Sequence, residues 1–290
     1  MFQELHDLQR HPEAWAALSR GNAIMRDHFP HDPAREAALF AAIIRLTTAN
    51  FVRPQTNTTG NGPQPIFVLG LPRSGTTLLE RLLGNHSHIA SAGELGDFPR
   101  SLFLVSDHLP RGMFDETTLA RLPGLDWAQV GQTYLTQTRW RAGGKRFFVD
   151  KLPRNWMVAG LIHMALPSAK ILHVVRDPMD VCFSNWRAFF GRGNEYAYAY
   201  DLDALASHHA QYRALMAHWH IVAPGRIHDV DYESLVHRPE ATLSGILAFC
   251  GLEYEEGCTD PTRNTSPSAT LSMSQVRQGI RTDTAAAWRP

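Results

Sequence analysis

The sequence predicts an α/β fold: a parallel sheet flanked by helices, with a short N-terminal helical extension. Beyond residue 65, short apolar runs alternate with helical stretches, and such alternation is typical of parallel strands covered on both faces. The predicted strands are residues 66–69, 146–149, 170–175 and 226–230. Ligands of such sheets bind at the carboxyl ends of the strands, so functional residues are expected there.

Three segments are predicted: a helical extension over residues 1–52, a linker over 53–64 and the main domain over 65–290. Asp32 before Pro33 has the pattern of an N-cap followed by proline at the first helical position. Residues 53–64 are polar and rich in turn formers. The extension is too short for a repeat array. We interpret it as a packing extension, with a partner-binding module as the alternative.

Composition narrows the class of protein. Lys+Arg and Asp+Glu both number 28 in 290 residues, so no net field attracts nucleic acid or a membrane surface. Three cysteines without metal-ligand spacing fit a reducing compartment. No apolar run approaches about 18 residues, and Glu4 and Asp7 interrupt the N-terminus, so neither a membrane span nor a signal peptide is predicted. A soluble, cytoplasmic protein is expected.

The most informative segment runs from the strand 66–69 through a glycine-bounded loop into an amphipathic helix. Such a turn directs backbone N–H groups and a helix dipole at one point, which suits a phosphate. Gly70 and Gly75 have the spacing of the nucleotide-triphosphate loop G-x-x-x-x-G-K-[ST], but Thr76 stands at the lysine position. Without that lysine, the loop is expected to hold a single phosphate. The residues expected to do so are Arg73, Ser74, Gly75, Thr76 and Thr77.

Arg176-Asp177-Pro178 follows the strand 170–175; taken alone it favours a helix cap beside a surface arginine, but together with the first loop it predicts a second phosphate contact. Asp177 suits a helix cap and Pro178 the first helical position. Ser184 follows on that helix, so the Arg176 guanidinium and the Ser184 hydroxyl can converge. A guanidinium on a phosphate is a bidentate contact that contributes about 1.5–3 kcal/mol.

The string L-P-R-S-G-T-T-L-L-E, together with R-D-P and the later serine, resembles sulfotransferases that use 3′-phosphoadenosine 5′-phosphosulfate (PAPS). The resemblance is strongest for bacterial sulfotransferases with tetratricopeptide-like N-terminal helices and for their tyrosylprotein sulfotransferase relatives. It extends over about residues 65–290. It implies a P-loop-like fold and metal-free, in-line transfer of a sulfuryl group from PAPS to an acceptor hydroxyl (tyrosine, another phenol or a carbohydrate).

The resemblance also implies roles for single residues. Glu94 matches a catalytic base that takes the acceptor proton, with His86 and His88 as alternative bases. Lys151 and Arg73 would stabilise the charge that develops on the departing 3′-phosphoadenosine 5′-phosphate (PAP). The residues that would bind the 3′-phosphate and the nucleotide are Arg176, Ser184 and Tyr232.

A C-terminal segment resembles a lid over PAPS, in which Ser272 matches a catalytic serine. The other lid residues implied to contact PAPS are Gln275, Val276, Arg277 and Arg281. Ala188 and Ala287 stand where the tyrosylprotein branch has an arginine and a lysine. Arg187 could replace the former only by a different approach. Arg100 matches a residue that faces acidic peptides, whereas Gly96 replaces a second such arginine.

Two other classes of function remain open from sequence. A small-molecule kinase would need Mg²⁺ and ATP, and a non-catalytic protein built on the N-terminal helices would bind a partner and leave PAPS intact. The fifteen histidines predict no metal site, because alternate helical positions point about 200° apart. The pairs considered were His86 with His88, His208 with His209, and His218 with His220.

Overall fold

The centre of the fold is a five-stranded sheet in which every neighbouring pair of strands is parallel. The computed structural model describes residues 1–54, 62–110, 112–191, 194–264, 279–280 and 288. The strand order is β2-β3-β1-β4-β5. The strands are β1 (Gln64–Gly70), β2 (Ile89–Ser91), β3 (Phe147–Lys151), β4 (Lys170–Val175) and β5 (Ile227–Asp231). The predicted α/β class is confirmed, and β2 is added to the four predicted strands.

Twelve α-helices lie within the described residues, and four short 3₁₀ segments connect them. The helices are α1 (Phe2–Asp7), α2 (His11–His28), α3 (Pro33–Leu46), α4 (Thr76–Gly84), α5 (Asp97–Ser106), α6 (Glu116–Arg121), α7 (Trp127–Thr138), α8 (Ala159–Ala165), α9 (Pro178–Trp186), α10 (Leu202–Val222), α11 (Tyr232–His237) and α12 (Pro239–Cys250). The 3₁₀ segments are Leu122–Gly124, Arg139–Ala142, Pro153–Val158 and Asn194–Tyr200. None of the helices described combines the length and the apolar character that crossing a bilayer requires.

The central strand β1 is buried on both faces, as its continuous apolar run predicts. Phe67 and Leu69 belong to the core beneath α5, α7, α8 and α10, whereas Ile66 and Val68 pack on the opposite face with α4, α11 and α12. Because successive side chains of a strand alternate, a single apolar run supplies both cores. The sheet therefore presents only its two edges and its strand ends for function.

The N-terminal helices pack on the main domain through apolar residues such as Phe40 and Ile43 and through polar contacts. Asp32 caps α3 as predicted, accepting from the backbone N–H of Arg35 at 3.0 Å. In α2, the buried Asn22 donates to the carbonyl of Trp186 at 3.0 Å. In α3, Glu36 Oε1 lies 2.9 Å from Nδ1 of His208 on α10.

The Glu36 carboxylate is held ionised by two histidines. Burial raises its pKa, but the hydrogen bonds and charges of His208 and His31 outweigh burial and bring the pKa to about 2. Burial lowers the pKa of His208 more than the carboxylate raises it, so the ring is neutral at pH 7 and donates through Nδ1. A depressed carboxyl pKa stabilises the fold above the unfolded value, and this stabilisation is lost as the pH falls towards 2.

We expect Glu36→Gln to lower the free energy of unfolding by about 1–3 kcal/mol at pH 7, because the charged acceptor of the buried His208 ring, 3.4 Å from His31 Nε2, becomes neutral. The difference from wild type should narrow as the pH is lowered from 4.5, since the wild-type carboxylate then loses its advantage. Urea unfolding monitored by tryptophan fluorescence measures both. The exposed Glu240→Gln in α12 is the control. Equal midpoints for Glu36→Gln and wild type at pH 7 would contradict the role.

Candidate active site

Each strand of the sheet delivers one predicted site residue at its carboxyl end. Arg73 follows β1 and Glu94 follows β2, whereas Lys151 is the last residue of β3. Arg176 and Tyr232 come directly after β4 and β5. Because all five strands are parallel, these residues lie in a row at the carboxyl ends of the strands, as the sequence predicts.

Close packing fixes the loop between β1 and α4. Gly70 has φ +149°, and a Cβ there would lie 2.7 Å from the carbonyl oxygen of Val174 on β4. Gly75 has φ +109°, and a Cβ there would lie 2.3 Å from a ring carbon of Tyr232. Arg73 has φ +70°, a left-handed conformation that costs a non-glycine residue about 1–2 kcal/mol. Strain of this kind concentrates at functional sites.

The hydroxyl groups of the loop are buried. Ser74 is only 2% exposed, and its Oγ has no hydrogen-bond partner among the described residues. Thr76 and Thr77, in the first turn of α4, are buried beside it. A buried hydroxyl without a partner is costly, so the loop is suited to a polar ligand that completes the hydrogen bond.

Guanidinium groups gather next to this loop. Arg73 Nε donates to Ser184 Oγ at 3.2 Å, and Arg176 Nη1 donates to the carbonyl of Arg73 at 3.2 Å. The Arg176 guanidinium also lies 4.6 Å from the ring centroid of Tyr232. Burial lowers the pKa of Arg73, and the positive charges of Arg176 and Arg187 lower it further. The predicted loop and the predicted Arg176–Ser184 pair therefore meet at Arg73, in a region of positive potential.

Helix α9 is fixed at both ends against the loop. Asp177 caps it, accepting from the backbone N–H groups of Met179 at 2.9 Å and Asp180 at 3.0 Å. Near its C-terminus, the buried Asn185 donates through Nδ2 to the carbonyl of Pro72 at 2.8 Å. The sequence predicts the cap, but it gives no sign of the Asn185 contact, which joins residues 113 positions apart.

Arg187 follows α9, next to Ala188. Its guanidinium lies 5.4 Å from the ring centroid of Phe2 and 5.3 Å from that of Phe183. These cation–π contacts hold the side chain against α1 and α9. Its charge still reaches Arg73, whose pKa it lowers.

The other half of the site is centred on Lys151, which is 1% exposed. Its Nζ lies 2.6 Å from Oε1 of Glu94, a residue that is 43% exposed. The backbone N–H of Lys151 donates to the carbonyl of Gly93 at 2.9 Å, which continues the pairing of β3 beyond the end of β2. The strand ends thus hold the buried ammonium and the exposed carboxylate together.

Glu80 on α4 is a site residue to which the sequence analysis gives no role. Its Oε1 accepts from the backbone N–H of Gly93 at 2.9 Å, and its Oε2 lies 4.0 Å from Lys151 Nζ. It is 4% exposed, and burial raises its pKa. A carboxyl between Leu79 and Leu82 on a helix with an apolar face is the sequence signal that could have identified it.

The remaining predicted residues lie elsewhere or outside the described residues. Arg100 is exposed on α5. His86 and His88 precede β2 and so lie at the amino ends of the strands, opposite to the other candidates. His86 Nδ1 accepts from the His88 backbone N–H at 3.1 Å, and its Nε2 lies 3.0 Å from the carbonyl of Glu253. The lid residues Ser272, Gln275, Val276, Arg277 and Arg281, with Ala287, fall outside the described residues.

Comparison with known proteins identifies the family. The family model described as "Sulfotransferase family" matches residues 65–256. An uncharacterized protein of Aquifex aeolicus (strain VF5) is 31% identical over 302 residues, which cover 100% of this chain and 39% of that protein. Nodulation protein NoeE of Sinorhizobium fredii (strain NBRC 101917 / NGR234) is 34% identical over 140 residues, which cover 42% of this chain and 31% of that protein.

The chain thus spans well under half the length of these two relatives. Among solved structures, the sulfotransferase domain of the Synechococcus PCC 7002 olefin synthase superposes with a TM-score of 0.52 at 23% identity, covering 82% of this chain and 91% of that domain. This similarity shows the fold. With the family match extending over most of the chain, the protein belongs to the sulfotransferase family.

Proposed function

We propose that this sulfotransferase takes its sulfuryl group from PAPS and transfers it to an acceptor hydroxyl, with Glu94 as the base. The observation that carries the proposal is the buried Ser74 hydroxyl without a described partner, beside the Arg73 side chain and Arg176, whose guanidinium donates to the Arg73 carbonyl. Buried donors and positive charge at the carboxyl end of a parallel sheet suit a ligand with two separate anionic groups. PAPS is such a ligand.

The binding roles follow from the two halves of the loop region. The 5′-phosphosulfate would contact Ser74 and the first turn of α4, and the 3′-phosphate would contact Arg176 and Ser184. The Tyr232 ring packs on Gly75 and under Arg176, so it lies where a nucleoside between the two phosphates would pass. The proposed lid residues Ser272, Gln275, Val276, Arg277 and Arg281 would complete the pocket.

The transfer step is a displacement at sulfur. The acceptor oxygen forms a bond to sulfur while Glu94 takes its proton, and the bond from sulfur to the bridging oxygen breaks, leaving its electron pair on the 5′-phosphate of PAP. Lys151 and Arg73, with Ser272, would stabilise that developing charge. Ammonium and guanidinium groups supply the positive charge, so the step requires no divalent ion.

The contact between Lys151 and Glu94 implies that the donor binds before Glu94 accepts a proton. The Lys151 ammonium lies 2.6 Å from Glu94 Oε1. An incoming phosphosulfate competes for that ammonium, which frees the carboxylate to accept a proton. Glu80, on the buried side of Lys151, keeps the ammonium in place while Glu94 exchanges partners.

The acceptor is proposed only as a class: a peptide tyrosine, another phenol or a carbohydrate hydroxyl. The exposed Arg100 on α5 would favour an acceptor with acidic neighbours. We assign the catalytic domain to residues 65–290, with 53–64 as a linker. The contacts of Asn22 and Glu36 support a packing role for residues 1–52.

PAP binding tests the donor assignment directly. Calorimetry with PAP should give one site per chain, with the same affinity in EDTA and in Mg²⁺. Arg176→Ala should weaken binding by about 10- to 150-fold, because a bidentate contact of about 1.5–3 kcal/mol is lost. The exposed Arg45→Ala on α3 is the control. Absence of PAP binding would overturn the proposal, and Mg²⁺-dependent binding of ATP would favour the kinase alternative.

The rate of sulfuryl transfer tests whether Glu94 is the base. Glu94→Gln should reduce transfer of labelled sulfate by about 10²- to 10⁴-fold while PAP affinity stays within about twofold. Labelled PAPS would be offered with a simple phenol, a tyrosine peptide flanked by aspartates, and an oligosaccharide, which also sorts the acceptor classes. Glu240→Gln serves as the matched neutral replacement. Transfer by Glu94→Gln within a few-fold of wild type would remove Glu94 from this role.

A double-mutant cycle tests the electrostatics of Lys151 without any substrate. Lys151→Met should destabilise the fold by about 1–3 kcal/mol at pH 7, since Glu80 then lacks its cation. The loss should shrink as the pH falls, because a buried carboxyl with a raised pKa takes up a proton before the unfolded chain does. Adding Glu80→Gln should restore part of the stability. Urea unfolding that shows the double variant no more stable than Lys151→Met would contradict the coupling.

A further inference from the structure

A second polar cluster lies on the β5 side of the sheet, away from Lys151. We propose that His173, His220 and Asp229 form a binding site for a divalent transition-metal ion of the zinc type. His173 on β4 and Asp229 on β5 are partners in the parallel register, and His220 is near the C-terminal end of α10. The three potential ligand atoms all lie within 4.8 Å of one another.

The distances are close to those of a metal site. His173 Nδ1 is 2.7 Å and His220 Nε2 is 3.0 Å from the same oxygen, Oδ1 of Asp229. Ligands bonded to Zn²⁺ at about 2.0–2.1 Å in a tetrahedron are about 3.3 Å apart, so each histidine nitrogen would move away from Oδ1 of Asp229 by about 0.3–0.6 Å. Two paired strands and a long helix provide a rigid frame for it.

A partner behind His173 orients this ligand. The other ring nitrogen, Nε2, makes a hydrogen bond with the buried Tyr212 hydroxyl. In metal sites the ring nitrogen that does not bind the ion is normally hydrogen-bonded, which fixes the tautomer and the ring plane. A proton on Nε2 shared with Tyr212 leaves the Nδ1 lone pair free for an ion.

The charges of neighbouring residues and the access of water also affect how an ion would bind at this site. Asp229 would supply the carboxylate ligand, and its Oδ1 already contacts both histidines. The three ligands line a cavity of about 430 Å³, from which water can complete the coordination. The exposed Arg213 and the half-buried Arg176 line the same cavity, and their charges reduce the affinity for a cation.

Without an ion, the same atoms form a histidine–aspartate–histidine hydrogen-bond network. The two states differ in protons, because an ion requires the unprotonated nitrogen of each imidazole. Protons and the ion therefore compete for the same nitrogen atoms, so binding must weaken as the pH is lowered. An ion would connect the edge strand β5 to α10, and the cavity that it faces is also lined by Ser74 and Arg176 of the proposed PAPS site.

Zinc titration of the full chain tests the site. After EDTA treatment and dialysis, calorimetry at pH 7.5 should show one Zn²⁺ bound per chain, with elemental analysis confirming the ratio and with weaker binding at pH 5.5. His220→Ala and Asp229→Asn should each weaken binding at least about tenfold, and Arg213→Ala should tighten it several-fold. His228→Ala is the control, because His228 adjoins Asp229 but stacks on Phe249, with ring centroids 4.9 Å apart.

Thermal unfolding gives a second measurement that does not rely on heats of binding. Zinc should raise the midpoint of wild type and of His228→Ala, and it should leave the midpoint of His220→Ala unchanged. A chain that retains no zinc at pH 7.5 would overturn the proposal. So would equal zinc affinity in wild type, His220→Ala and Asp229→Asn, since the ion would then lie elsewhere.

Discussion

The pairing of β1 with β4 at Gly70 and Val174 is the contact on which the site depends. The two backbones approach so closely that a Cβ on Gly70 would lie 2.7 Å from the Val174 carbonyl. This approach brings the loop after β1 beside the residue that follows β4, and so places Arg73 against Arg176. Main-chain geometry thus brings two like charges together, and contacts with Ser184 and Tyr232 hold their side chains there.

The charged groups at the carboxyl ends of the strands differ on the two sides of β1. On one side of β1, guanidiniums lie together and lower the pKa of Arg73. On the other side, one buried ammonium lies between two carboxylates, of which Glu80 is buried and Glu94 is exposed. The guanidinium side suits an anionic ligand. The side with Lys151 suits a reaction in which a carboxylate accepts a proton while negative charge develops beside the ammonium. The transfer proposed above would use both.

The sequence allows the sheet and its functional edge to be predicted, because apolar runs followed by Gly, Arg-Asp-Pro or Asp-Lys indicate where strands end. It does not reveal β2, whose three residues carry too little periodicity. Glu80 and Gly93 are thirteen residues apart and meet only through the fold, as do His173 and Asp229. Contacts of this kind follow from strand order, which no local pattern contains.

The packing of Tyr232 on Gly75 has a consequence for how this protein can vary. The aromatic ring occupies the volume that any side chain at position 75 would need, at 2.3 Å from an added Cβ. A methyl group at 75 becomes sterically possible only if residue 232 shrinks first, and the backbone at φ +109° would remain strained even then. Substitutions at positions 75 and 232 are therefore coupled: a larger residue at 75 is tolerated only after a smaller one has replaced Tyr232.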